Sequence, residues 1–134
     1  MRVQISIDKV RGPFVRQVEE ISGQDLLACN QCGKCSAGCP VVAAMDILPN
    51  QVIRMAQLGM EEVLESNTIW ICASCLTCST RCPKGVDVPR LMEALRQSAL
   101  RQGVTELDLN ALPPELVREV PQLAIVGGFR KYMG

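Results

Sequence analysis

Apolar and polar positions divide the chain into short helical units around two cysteine-dense stretches. Val3, Ile5 and Ile7 alternate with Arg2, Gln4 and Ser6, a period of two that predicts a short N-terminal strand with one buried face. Phe14, Val18 and Ile21 follow at helical spacing, and Gly23 is placed to stop that helix. Asp46 and Pro49 mark a second helix start. Val52, Ile53, Ala56, Met60, Val63 and Leu64 then make a stripe at steps of three and four, with a break expected at Gly59. Asp87 and Pro89 mark a third start. There Val88, Leu91, Met92, Leu95 and Ala99 share one face, with Arg90, Glu93, Arg96 and Gln97 off it. This is the clearest amphipathic helix in the chain, with its end expected near Gly103. Beyond it, "PPELVREV" reads as a short helix. "QLAIVGGFRKYMG" has two readings, packing on its own domain or docking on a partner, and packing is the simpler.

The stretches between these helices are "CNQCGKCSAGCP", from Cys29 to Pro40, and "CASCLTCSTRCP", from Cys72 to Pro83. Each is C-x₂-C-x₂-C-x₃-C-P, and Cys72 lies 43 residues after Cys29. Each is followed by an Asp, a Pro and an apolar stripe. Two copies of a loop-plus-helix unit predict a mainly α domain with pseudo-twofold character.

Composition narrows what those cysteines do. At 134 residues the chain suits a single domain, 1–134. Its 48% hydrophobic content counts eight cysteines, and without them about 42% remains, ordinary for a globular protein. With one Trp, one Tyr and two Phe, the core must be aliphatic. Lys plus Arg and Asp plus Glu number 14 each, which provides no basic footprint for nucleic acid or anionic lipid. No apolar leader segment and no run approaching ~18 apolar residues is visible, so no membrane span is expected. The expected setting is cytoplasmic, where thiols stay reduced and clustered cysteines bind metal.

Three occupants compete for the eight thiols. Disulfides are disfavoured by that setting and by cysteines two residues apart. Zinc takes four ligands, usually as two separated C-x-x-C pairs, and the chain has no histidine for the mixed sites. Two 4Fe–4S clusters fit both count and spacing: three cysteines in one turn cap three corners of a cube, and in two-cluster proteins the fourth ligates the other cluster. On that rule one cluster takes Cys29, Cys32, Cys35 and Cys82, and the other takes Cys72, Cys75, Cys78 and Cys39. Crossed ligation ties the halves together, so the metal-free chain is expected to be largely unfolded. Two clusters at about −2 each would bring the net charge to about −4.

The runs differ in detail. Gly33 and Gly38 in the first would expose backbone N–H groups and raise a cluster's potential, while Leu76 in the second would bury its cluster and lower it. Lys34, Arg81 and Lys84 lie beside the ligands, either as solvated charges or as groups facing the clusters or a partner. Trp70, two residues before Cys72, has packing as its simplest role. No glycine-rich dinucleotide loop or P-loop is present, and all eight cysteines are committed as ligands, which describes a wire rather than a catalyst.

The 32 residues between Cys39 and Cys72 are mostly helical, unlike a compact hairpin ferredoxin. The two cysteine runs, with "LGMEEVLESNTIWICASCLTCSTRCPKGVDVPRLMEALR", resemble the C subunit of heterodisulfide reductase and its α-helical ferredoxin domain, over residues 20–103. The resemblance implies a relay through two 4Fe–4S clusters, from a flavin-containing A-type subunit to a B-type subunit whose CCG motifs hold the disulfide-reducing centre. This chain has no Cys-Cys-Gly sequence, so that chemistry would lie on another chain. A free two-cluster carrier, or the iron–sulfur part of a glycolate- or glycerol-phosphate-type dehydrogenase, are the alternatives. Residues 104–134 form a C-terminal extension outside the resemblance, a candidate docking segment.

Overall fold

The computed structural model describes residues 4–133, and among them the only regular elements are helices and helical turns. The helices are α1 (Ile7–Val10), α2 (Pro13–Ser22), α3 (Lys34–Ala37), α4 (Pro49–Gln57), α5 (Thr68–Ile71), α6 (Thr77–Arg81), α7 (Val88–Arg101), α8 (Pro114–Glu119) and α9 (Gln122–Tyr132). The expected N-terminal strand is corrected. Val3 lies outside the described residues, residues 4–6 are irregular, and Ile7 opens α1. Ile5 and Ile7 are 65% and 83% exposed, so the alternation has no sheet to bury it, and a lone strand leaves its backbone groups unpaired.

The core is the seam where α2 and α7 pack together, with α4 and α5 laid against α7. Val18, Leu26, Val63, Ile69, Ala94 and Leu95 are wholly buried there. Helix α2 ends where expected: Gly23 takes φ 65° and donates to the Glu19 carbonyl at 2.8 Å. Helix α4 stops at Gln57, ahead of the anticipated break. Gly59 then turns at φ 67°, and Val63 and Leu64 enter the core from a 3₁₀ turn, Glu61–Glu65. Gly59 also packs directly on the Lys9 backbone, a contact with no room for a Cβ.

Helix α7 is built as its pattern predicts, with one exception. Asp87 caps it by accepting from the Arg90 N–H at 3.4 Å. Arg96 is not on a solvent face but is 2% exposed. Its Nη1 donates to the Ile69 carbonyl at 2.6 Å, its Nε donates to Glu93 at 3.0 Å, and its Nη2 also meets that carboxylate. A guanidinium with a carbonyl and a carboxylate at its fork tolerates burial that a lone charge would not. Burial works against ionisation of Glu93, but the hydrogen bond and charge of Arg96 outweigh it and hold its carboxyl below the usual range.

Asp46 does not cap α4, whose N-cap is Leu48. Instead it caps the distant α5, accepting from the Asn67 N–H at 2.9 Å, the Thr68 N–H at 3.2 Å and the Thr68 hydroxyl at 2.7 Å. The Asn67 side chain answers by accepting from the Asp46 N–H at 2.9 Å. Helices α8 and α9 bury no residue. Helix α9 runs through Gly127 and Gly128, leaves Leu123 82% exposed, and touches the core by its last turn. There Lys131 donates to the Cys72 carbonyl at 3.0 Å, and the Tyr132 ring sits 6.0 Å from that of Trp70. Trp70 is buried in the core, a packing residue.

Candidate metal centres

The two runs fold alike because their backbones make the same unusual turn. Gln31 and Gly33 take φ 60° and 77° around Cys32, and Ser74 and Leu76 take φ 53° and 65° around Cys75. These positions correspond at the 43-residue offset. Left-handed conformation at three residues other than glycine costs on the order of 1 kcal/mol each. The turn is shared by both runs, so the same backbone geometry flanks Cys32 and Cys75. After each turn comes a short helix, α3 or α6, and these two helices pack against each other.

Each run is anchored to the helix that follows it by one serine. Ser36 donates to Asn50 Oδ1 at 2.6 Å and accepts from the Asn50 N–H at 3.0 Å, at the start of α4. Ser79 donates to Asp87 Oδ1 at 3.0 Å, at the cap of α7. The serines keep the 43-residue register, whereas Pro49 and Pro89, in the first turns of these helices, are only 40 apart. A second anchor was not anticipated: Gln57 is buried and its Nε2 donates to the Leu26 carbonyl at 2.7 Å and the Cys29 carbonyl at 3.0 Å.

The eight thiols line two neighbouring chambers. Cys29, Cys32, Cys35 and Cys82 line the first. Cys39, Cys72, Cys75 and Cys78 line the second, with Cys35 and Val88 on the wall common to both. So Cys39 stands with the second run and Cys82 with the first. The empty space is about 350 Å³ in the first and about 380 Å³ in the second, counting the open mouths. Cys32 and Cys75, the middle cysteines of the runs, are exposed at those mouths.

The thiols are not equivalent. Burial pushes Cys78 up to about 11, with Cys72 adding to the effect, and burial raises Cys35 too. Cys75 is lowered by the Thr77 hydroxyl, 3.4 Å from its sulfur. Gln31 Nε2 donates to Cys29 Sγ at 3.6 Å, and the Val86 N–H donates to Cys82 Sγ at 3.3 Å. Raised thiols must lose protons when they ligate metal, so loading releases protons. Two sites each with four soft donors and an exposed cysteine at the mouth fit a 4Fe–4S group.

Two expectations about the runs are corrected. Leu76 is 53% exposed, so it buries no cluster; its left-handed backbone turns the side chain out where glycine stands in the first run. Gly38 does not offer its N–H, which donates to the Lys34 carbonyl at 3.2 Å, and the Arg81 side chain packs against it. Lys34 and Lys84 both line the first chamber. No described helix is long and apolar enough to cross a membrane.

Residues 25–86 match the 4Fe-4S dicluster domain family. The chain is 36% identical over 107 residues to the second iron-sulfur C subunit of the CoB–CoM heterodisulfide reductase of Methanocaldococcus jannaschii, covering 74% of this chain and 58% of that protein. It is 40% identical over 78 residues to the C2 subunit of the H₂/formate:CoB-CoM heterodisulfide,ferredoxin reductase of Methanococcus maripaludis, covering 58% and 42%. With the C subunit of the ferredoxin:CoB-CoM heterodisulfide reductase of Methanosarcina mazei it shares 33% over 87 residues, covering 65% and 54%. The chain thus spans about half the length of these relatives. It carries a dicluster domain for two 4Fe–4S clusters and is a relative of the iron–sulfur C subunits of heterodisulfide reductases.

Proposed function

We propose that this chain is the electron-relay subunit of a heterodisulfide reductase-like complex, standing between a flavin-containing A-type subunit and a CCG-containing B-type subunit that reduces a disulfide. The observation that carries the reading is the pair of four-thiol chambers sharing a wall at Cys35 and Val88. Adjacent one-electron sites are what a relay needs, and no cysteine is left over for substrate chemistry. The relatives' names supply the reaction.

In this reading Cys29, Cys32, Cys35 and Cys82 hold one cluster and Cys72, Cys75, Cys78 and Cys39 the other. When bound, a 4Fe–4S group takes up and returns one electron. The chain's residues do the rest. The left-handed turns at Gln31–Gly33 and Ser74–Leu76 give the two runs one backbone shape around Cys32 and Cys75, and the α3–α6 contact keeps the chambers adjacent. The Val86 N–H and the Gln31 amide donate to the Cys82 and Cys29 sulfurs, and the Thr77 hydroxyl lies 3.4 Å from that of Cys75. Cys32 and Cys75 bring each site to the surface, where a partner's redox group can approach.

The test is to purify the complex with Cys75→Ser in this chain and follow flavin reduction and disulfide reduction separately. Flavin reduction should persist and disulfide reduction should stop. Disulfide reduction at the normal rate would remove this chain from the path. A wild-type chain that purified alone and served unrelated enzymes would be a free carrier instead.

A further inference from the structure

We infer that the side chains around the first chamber make it the resting place of an added electron, so that an electron enters this chain at the second chamber and leaves from the first. The inference rests on the two-cluster reading above and goes beyond it by giving the wire a direction.

Adding an electron to either site adds negative charge with no bond made or broken and no proton required. Nearby cations and hydrogen-bond donors stabilise that charge, and an apolar lining opposes it. The two linings differ in this respect. Lys34 and Lys84 line the first chamber, with the amides of Asn30, Gln31 and Asn50. Among the described residues, no carboxylate lines it. Two of its sulfurs accept hydrogen bonds, Cys29 from Gln31 and Cys82 from the Val86 N–H. The second chamber is walled by Pro40, Val41, Met45, Pro49, Pro89 and Met92, and no charged group among the described residues lines it. The Thr77 hydroxyl stands at one of its run's sulfurs, Cys75.

The other charged groups nearby do not reverse the difference. Lys131 reaches the second run by donating to the Cys72 carbonyl at 3.0 Å, but it lines neither chamber and its charge also faces Glu93, whose carboxyl it helps hold ionised. Arg96 is paired with the same Glu93. Arg81 packs on Gly38 and lines neither chamber. Asp87, at the cap of α7, is paired with Arg90 at 3.4 Å.

The experiment is a stepwise anaerobic reduction of the intact, cluster-loaded chain with dithionite as the one-electron source, read by EPR of frozen samples. Cys32→Ser and Cys75→Ser each alter a ligand of one chamber and so assign the signals. The first-chamber signal should fill first. Lys34→Met combined with Lys84→Met should cut its preference about tenfold. Arg at both positions should restore it, and high salt should shrink the effect because both side chains are exposed. Lys131→Met should leave the first-chamber signal unchanged. If the second-chamber signal fills first, or the double Met variant leaves the ratio unchanged, the inference is overturned. If neither Cys→Ser variant alters any signal, the two-cluster reading has failed, and the direction falls with it.

Discussion

Gln57→Leu is the sharpest probe of how the helices hold the first cysteine run. The wild-type amide is 4% exposed and donates to the carbonyls of Leu26 and Cys29, 31 and 28 residues away. Leucine preserves most of the volume and removes both donors. The Leu26 carbonyl is buried and would keep only a long bond from the Cys29 N–H at 3.4 Å, so losing the amide costs about 1–2 kcal/mol, and the half-covered Cys29 carbonyl adds about 1 kcal/mol. Leucine's apolar burial offsets about 1 kcal/mol. The net loss is about 2 kcal/mol, on the order of a 5–10 °C drop in melting temperature for a chain of this size. Because Cys29 is the first ligand of its run, the loss should be local: the first-chamber cluster should bleach earlier than the second. The assay is anaerobic heating of the loaded protein, with visible absorbance for total cluster and EPR for each site. A shift below about 2 °C, or equal loss of both clusters, would refute the reasoning. Gln57→Glu should be worse than Leu, since it presents carboxylate oxygens to two carbonyls.

The other predictions concern single contacts. Arg96→Ala should destabilise the loaded protein by about 3 kcal/mol, leaving the Ile69 carbonyl unpaired and a void under α7; a loss below about 1 kcal/mol in denaturant unfolding would show that the pair is idle. Burial opposes ionisation of Asp46, but hydrogen bonds from Thr68, Asn67 and Ile47 hold its carboxyl below the usual value. That contribution is therefore full above about pH 4 and lost only as pH falls through the lowered value, so Asp46→Asn should cost about 1 kcal/mol, unchanged from about pH 8 to about pH 5. A gap that closes above about pH 5 would contradict this assignment. Cys82→Ser should damage the first-run cluster and Cys39→Ser the second-run cluster; EPR showing each harming only its own run's cluster would end the crossed ligation. Gly59→Ala should cost more than about 2 kcal/mol and loosen α1, because a Cβ there meets the Lys9 backbone, and limited proteolysis near Lys9 would report it.

The sequence alone determined the chemistry and most of the helices. Eight cysteines in two runs of one spacing, without histidine, leave little but a pair of clusters, because ligand number and reach are local properties of a short chain segment. The 3.6-residue stripe over Val88 to Ala99 and the stop at Gly23 were legible for the same reason: helices and their caps are decided within a few residues. Ser36 and Ser79 were also legible in principle, since they repeat at the cysteine offset. The tertiary structure decided what depends on distant partners. Alternation at Val3–Ile7 promised a strand, but a strand exists only with a neighbour to pair with, and the described residues offer none. Asp46 looked like the cap of its own helix yet caps α5, because a carboxylate serves whichever free N–H groups the fold brings to it. Arg96 looked like a surface residue and is buried, and Gln57 carried no signal in the pattern and is buried too, since only packing brings carbonyls from Ile69, Leu26 and Cys29 within their reach. Leu76 looked like cover for a cluster and points to solvent, because the turn that wraps the ligands forces its backbone left-handed.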